Sequence, residues 1–170
     1  MGGGLCSEAS LSMGCALLRQ DIYSQAKVFF MMGLQACTSM ENRAHQQLPY
    51  QKLMRGMSAC LEGERKYAAA MWCHTIIVEK LLPRSADAVA RAHANVEWSA
   101  LEIRCGLNDH STTERLQAAT RDLREAARIG DHRAPDLLDE ALGELGELVP
   151  PGAPRKRLRR KTRLEDLDWT

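Results

Sequence analysis

The amino-acid sequence predicts an all-α protein of stacked antiparallel helical hairpins, with about three hairpins and six to seven helices. The chain is rich in Ala, Leu, Met, Arg and Glu, which favour helices. Aromatic residues make up only 5% of it, and runs of β-branched residues are almost absent. A set of residues also recurs 42 positions along the chain. We therefore expect helices, with no β-sheet.

Turn and capping residues divide the chain into successive helices. Asp21 is predicted to cap the second helix, and Gly63 and Gly106 are predicted to lie at helix ends. Pro135 falls in the first turn of the last helix, where a missing N–H costs nothing. The predicted helices cover residues 8–20, 22–38, 41–62, 64–82, 85–105, 112–129 and 134–148.

The two ends of the chain differ from the body in composition. Residues 1–7 are predicted to be a flexible lead, because the three glycines after Met1 lose much entropy on ordering. Residues 8–149 form the predicted helical-repeat domain. From residue 150 a proline-rich stretch ends the helices, and residues 150–170 are predicted to be a disordered basic and acidic tail.

Small and aromatic residues recur at an offset of 42. The offset aligns two glycines, two alanines and two aromatic residues, and it places Asp21 opposite a glycine. One helical hairpin cannot bury its apolar face alone, so stacked copies share a continuous core. Small residues are expected where two helices cross, with an aromatic ring beside the crossing. The residues assigned this structural role are Gly14, Ala26, Phe30, Gly56, Gly63, Ala68 and Trp72.

The second copy of this pattern resembles the tetratricopeptide repeat. Its glycine, glycine, alanine and tryptophan, spaced seven, five and four positions apart, are similar to the small, turn, small and aromatic positions of that family. Residues 123–131 resemble the repeat junction in the long-repeat branch, as in rapsyn and the Pins-type mitotic adaptors. The resemblance covers residues 8–148. Its third copy lacks the aromatic residue, and Leu17 and Ala59 stand where tyrosines are usual.

The resemblance implies a function in binding and no chemistry. A partner peptide or helix would lie in a groove lined by the first helix of each hairpin. By analogy, the groove residues would be Tyr50, Leu53, Met57 and Leu61. Two alternatives stay open: these four residues are simply core, or the helices form an armadillo-like array, a HEAT-like array or a plain bundle.

A strongly basic segment dominates the tail. Seven of the nine residues 155–163 are cationic, and this density of like charge predicts an exposed, disordered segment. Nuclear import, contact with nucleic-acid phosphates, contact with an anionic lipid surface and a solvated tail without a role are the competing interpretations. Import fits best because no aromatic residues are interleaved to stack on bases. The cations are Arg155, Lys156, Arg157, Arg159, Arg160, Lys161 and Arg163.

The residues after the basic segment have the opposite charge. Residues 164–170 place three carboxylates and Trp169 next to the cations. This stretch either folds as a short helix that binds a partner or neutralises the basic segment.

The N-terminus resembles an acylation signal, with Gly2 for myristate and Cys6 for palmitate. Position 6, however, is usually Ser or Thr in that signal. Membrane association is therefore expected only if both residues are acylated, or if one acyl chain acts with the basic tail. No apolar run reaches the roughly 18 residues of a membrane span. The six cysteines lack paired spacing, which favours reduced thiols in the cytoplasm or nucleus.

No motif predicts catalysis, a metal or a cofactor. The chain has no nucleophile elbow, phosphate-binding loop or zinc-protease motif. Cys73 and His74 are neighbours and so point in different directions from a helix. Trp72 and Trp98 lie in apolar stripes and are predicted to anchor the core. The sequence thus predicts a non-enzymatic adaptor that binds another protein. A small nucleic-acid-associated regulator and a lipid-anchored adaptor are the alternatives.

Overall fold

A computed structural model describes residues 3–38, 47–82 and 87–148. These ranges contain helices and no strand, which confirms the all-α prediction. A π-helical segment, Ile77–Leu81, continues the fourth helix directly. The seven α-helices are α1 Gly3–Leu18, α2 Tyr23–Thr38, α3 Gln47–Gly63, α4 Tyr67–Ile76, α5 Ala88–Cys105, α6 His110–Arg128 and α7 Ala134–Glu147.

Helix α1 begins five residues earlier than the sequence predicts. Of the predicted flexible lead, residues 3–7 are helical, and residues 1–2 lie outside the described ranges. Ser7 is only 5% exposed, and a side-chain hydrogen bond joins it to Cys37 of α2. This contact with a second helix stabilises a turn that its glycines disfavour locally. The predicted tail, residues 150–170, lies outside the described ranges.

The later helices begin at recognisable caps. The carboxylate of Asp87 accepts a hydrogen bond of 2.8 Å from the Ala90 N–H at the start of α5. At the start of α6, Asp109 and Thr112 form a reciprocal capping box. Pro135 lies in the first turn of α7, as predicted.

The described helices belong to two compact units that meet in the chain between Cys73 and His74. In the first unit, α1 and α2 form a hairpin, and α3 packs against both of them. In the second unit, α5 and α6 form a hairpin, and α7 packs against both. Each unit therefore repeats one arrangement, a hairpin covered by the next helix in the chain.

The core of the first unit is built around Phe30, whose side chain is completely buried. A Cβ atom on Gly14 of α1 would lie 2.6 Å from the ring carbon Cε1 of Phe30. A Cβ atom on Gly56 of α3 would lie 2.5 Å from two carbons of the same ring. The ring thus lies between α1 and α3. Both helices approach the ring this closely because glycine has no Cβ atom. Both glycines therefore lie at close helix contacts, and Gly56 faces Phe30 of α2 and not the aromatic residue of its own copy, Trp72.

Four helices end in a left-handed residue: Asp21 at φ 58°, Arg65 at φ 61°, Gly106 at φ 70° and Gly130 at φ 89°. In each case the next N–H donates to the carbonyl five residues earlier, which is the hydrogen bond of a Schellman motif. The four bonds run from Ile22 to Leu17 (3.0 Å), from Lys66 to Leu61 (2.8 Å), from Leu107 to Glu102 (2.9 Å) and from Asp131 to Ala126 (3.0 Å).

The positions of the turn residues give a repeat period different from the predicted one. The left-handed residues Asp21 and Arg65 are 44 positions apart, not 42. The same spacing separates Ala26 from Ala70, and both alanines are 0% exposed. Gly63 is not the turn residue but the last residue of α3. It leaves space for the ring of Tyr23, which a Cβ atom would overlap.

The corrected period also changes the roles of two residues in α4. Ala68 is exposed. The buried residue of α4 that is equivalent to Ala26 in the repeat is Ala70. Trp72 is 61% exposed, so the prediction that it anchors the core is wrong. In its place, Cys73 and Ile77 carry the buried face of this helix. The offset of 42 matched the glycines at the helix crossings, but it missed the register of the second helix in each hairpin.

The second unit has an aliphatic core beside a buried polar contact. Glu102 of α5 accepts hydrogen bonds from Thr112 (2.6 Å) and Arg115 (2.8 Å) of α6. The Arg115 guanidinium lies 4.0 Å from the ring centroid of Trp98, which is half-buried. The core residues are Val89, Ala92, Val96, Leu116, Ala119, Leu123, Ala126, Ala134 and Ala141.

We expect Gly56→Ala to lower the free energy of unfolding by about 1–3 kcal/mol, because the methyl group would overlap the Phe30 ring. Gly146→Ala in α7 is the matched control, since no atom lies within 4 Å of its added Cβ atom. The control is expected to cause no loss of stability. Urea unfolding followed by circular dichroism measures both variants. Equal effects would contradict the close packing at Gly56.

Substitutions at two left-handed turn residues are expected to have opposite effects on the stability of the chain. Arg65→Gly should stabilise the chain by about 1 kcal/mol, because glycine adopts a positive φ without the steric penalty of a Cβ atom. Gly106→Ala should destabilise it by a similar amount for the same reason. Denaturant midpoints of the two variants measure the difference. A loss of stability in Arg65→Gly would be incompatible with this turn geometry.

Candidate partner-binding cleft

A cleft of about 470 Å³ opens in the first unit between α1 and the beginning of α3. Leu11, Cys15, Leu48 and Pro49 form its apolar lining. Leu11 and Cys15 are four positions apart and therefore share one face of α1. Leu48 is 61% exposed, so much of its side chain is available for contact. The cleft thus presents an accessible apolar surface made by the first helices of two consecutive hairpins.

Three charged side chains border this apolar surface: Glu8, Arg19 and Lys52. Within residues 3–38, 47–82 and 87–148, neither cation has a carboxylate partner. Lys27 of α2, by contrast, is paired across 2.5 Å with Glu64, the residue that follows α3. The cleft therefore offers two available cations beside its apolar lining.

Cys15 supplies the thiol among the described side chains that line the cleft. Burial raises the pKa of its thiol to about 11, although the positive charges of Arg19 and Lys52 partly oppose this effect. The thiol is therefore protonated at neutral pH and acts as a small apolar group. The arrangement of these described side chains suits recognition by apolar contact and charge.

The residues predicted to face a groove do not line this cleft. Leu53 is 0% exposed and packs against Gly33, so it cannot contact a partner. Tyr50 and Met57 are half-buried and pack against the core of the first unit, and Leu61 is also half-buried. Helix α3 contributes to the cleft instead through its first turn. The core interpretation of the predicted groove is correct for Leu53.

The cleft residues carry only a weak sequence signal. Pro49 follows Leu48 in the first turn of α3, where proline is tolerated because its missing N–H needs no partner. A leucine before such a proline is common and does not by itself indicate exposure. Leu11 and Cys15 read as an ordinary core stripe, so only the position of α3 identifies them as a cleft wall.

Several predicted sites lie outside the described residues. They are the basic residues 155–163, Gly2 and the side chain of Cys6. The described part of the chain contains no group of three or more His, Cys, Asp or Glu side chains that could hold a metal ion. It also contains no helix with the length and apolar character needed to cross a membrane.

The Cys15 thiol should react slowly in the native chain. Raising its pKa from 9.0 to about 11 lowers the thiolate fraction at pH 8 by a factor of about 100. We expect alkylation by iodoacetamide to be slower by at least that factor than in the urea-denatured chain, with peptide mass spectrometry as the measurement. The native rate should continue to rise about tenfold per pH unit from pH 8 to pH 10. Equal native and denatured rates would exclude the buried, protonated thiol.

Comparison with known proteins identifies no relative. No family model matches the chain, and no curated protein or solved structure matches it. In the part of the chain that the structure describes, the helices pack as consecutive hairpins.

Proposed function

We propose that the chain is a non-enzymatic adaptor whose cleft between α1 and α3 binds a peptide or helix of another protein. The cleft itself carries this proposal, because it combines an apolar lining that includes the exposed Leu48 with two cations that have no carboxylate partner among the described residues. Such a surface gains free energy when a partner removes its apolar atoms from water. The cations then select the orientation and the charge of the partner.

The position of the cleft supports a tetratricopeptide-like function. Helices α1 and α3 are the first helices of consecutive hairpins, and these are the helices that line the binding groove in the family resemblance. The period of 44 residues is also close to that of the long-repeat branch, which is near 40 residues. An extended or helical segment that lies along α1 would reach both ends of the cleft.

The basic segment, residues 155–163, adds a second part to this proposal. Seven cations in nine residues provide a recognition element for a nuclear-import receptor or an anionic surface. In this proposal the adaptor acts inside the cell. The cleft selects the partner, and the basic segment selects the location.

Affinity capture with the full-length chain tests the cleft. Leu48→Asp places a charge in the apolar lining and should reduce recovery of a cleft-bound partner by about 30-fold. Met13→Asp is the matched control, because Met13 is 49% exposed on α1 but does not line the cleft. Deletion of residues 154–163 should leave the partner bound. Quantitative mass spectrometry of the captured proteins measures all four chains.

Two results would contradict the adaptor proposal. Equal recovery by Leu48→Asp and Met13→Asp would mean that the cleft does not bind the partner. Material captured through nucleic acid and lost with residues 154–163 would instead favour the regulator that acts through its basic tail. Circular dichroism of each variant shows whether the helices are intact.

A further inference from the structure

We propose that an acidic and apolar segment of this same chain, residues 164–169, occupies the cleft between α1 and α3 when no partner is bound. The inference rests on the proposed function, because it takes the cleft as a site for a polypeptide. It adds a regulatory element: the segment and the partner compete for one surface.

The chemistry of the cleft defines what its occupant must carry. Leu11, Leu48 and Pro49 require apolar side chains opposite them. Arg19 and Lys52 require carboxylates, because no carboxylate of the described residues pairs with them. Glu8 also borders the cleft, so its three charged residues sum to +1. An occupant that combines apolar and acidic side chains satisfies the apolar lining and this positive charge together.

The residues at positions 164–169 combine these features within six positions. Leu164, Leu167 and Trp169 are apolar, and the three residues between them, Glu165, Asp166 and Asp168, are acidic. Leucine and tryptophan bury large areas at binding sites, and tryptophan is common among the residues that dominate binding energy. The segment has a charge of −3 without any cation of its own.

Charge also distinguishes this segment from its neighbour. Residues 155–163 carry seven cations, which Arg19 and Lys52 repel. The cleft is therefore expected to discriminate between two adjoining stretches of the chain. Of the two, the acidic stretch complements the charge of the cleft. In this proposal residues 164–169 therefore bind the cleft and do not only neutralise the adjacent cations.

Covalent attachment makes a weak interaction sufficient. Residues 149–163 separate the end of the described helices from the segment, and this stretch can extend to about 50 Å. Binding of an attached segment is intramolecular, so its occupancy of the cleft does not depend on the concentration of the chain. A partner must bind more tightly than the attached segment to displace it.

Photo-cross-linking in the full-length chain tests the proposal. Benzoylphenylalanine introduced at Leu48 should cross-link to residues 164–170, which trypsin releases as one peptide after Arg163. The same probe at Met13, exposed but outside the cleft, is the position control. The cross-link should form within one chain, so its yield per chain should not change on tenfold dilution.

Charge exchange tests the mechanism. Arg19→Glu combined with Lys52→Glu should lower the cross-link at Leu48 by a factor of about five, since an exposed ion pair contributes up to about that factor. Changing the three tail acids by Glu165→Lys, Asp166→Lys and Asp168→Lys in the same chain should restore it. Circular dichroism of each variant separates this effect from unfolding.

Three results would overturn the proposal. They are a yield at Leu48 no higher than at Met13, a yield that charge reversal does not change, and a cross-link confined to dimers. The last result would identify a second copy as the occupant. If the cross-link is absent while partner capture still depends on Leu48, the regulatory element is wrong and the adaptor proposal stands. If the cross-link forms but capture of a partner does not depend on Leu48, residues 164–169 occupy the cleft and the adaptor proposal is wrong.

Discussion

The first unit depends on the insertion of the Phe30 ring between two glycines. Gly14 and Gly56 each weaken their helix by about 1 kcal/mol relative to alanine. Burying the phenylalanine side chain offsets this loss with about 1.5–3 kcal/mol. Because one ring contacts both α1 and α3, its thickness sets how these helices lie against α2. The walls of the cleft are the same two helices, so the packing of the core also sets the shape of the cleft.

The next hairpin uses a different contact at the equivalent position. At the spacing of 44, Ser58 corresponds to Gly14, and its hydroxyl donates a buried hydrogen bond of 3.2 Å to the Ala70 carbonyl. His74 corresponds to Phe30 and is also buried. The backbone turns repeat with the same Schellman bonds, but the side chains between the helices do not. The repeat is therefore one of backbone geometry, with separate solutions for packing.

The proposal of a binding cleft depends on the chemistry of the side chains that line it near neutral pH. The Cys15 thiol is protonated, since burial outweighs the two nearby positive charges that lower its pKa. The remaining groups are aliphatic side chains, serines and three charges. Among the described residues, Arg19 and Lys52 have no carboxylate partner, unlike Lys27, which is paired with Glu64. The proposed polypeptide site rests on this distribution of apolar and charged groups.

Local sequence was sufficient to predict an all-helical fold with adjacent helices packed against each other, because composition, caps and glycines act over a few residues. It could not supply the period of 44, since the turns use Asp21 and Arg65, which carry no glycine signal. Nor could it place Leu53 in the core, Trp72 on the surface or Leu48 in a cleft. Which face of a helix is covered depends on the helix packed against it, and that contact joins residues far apart in the chain.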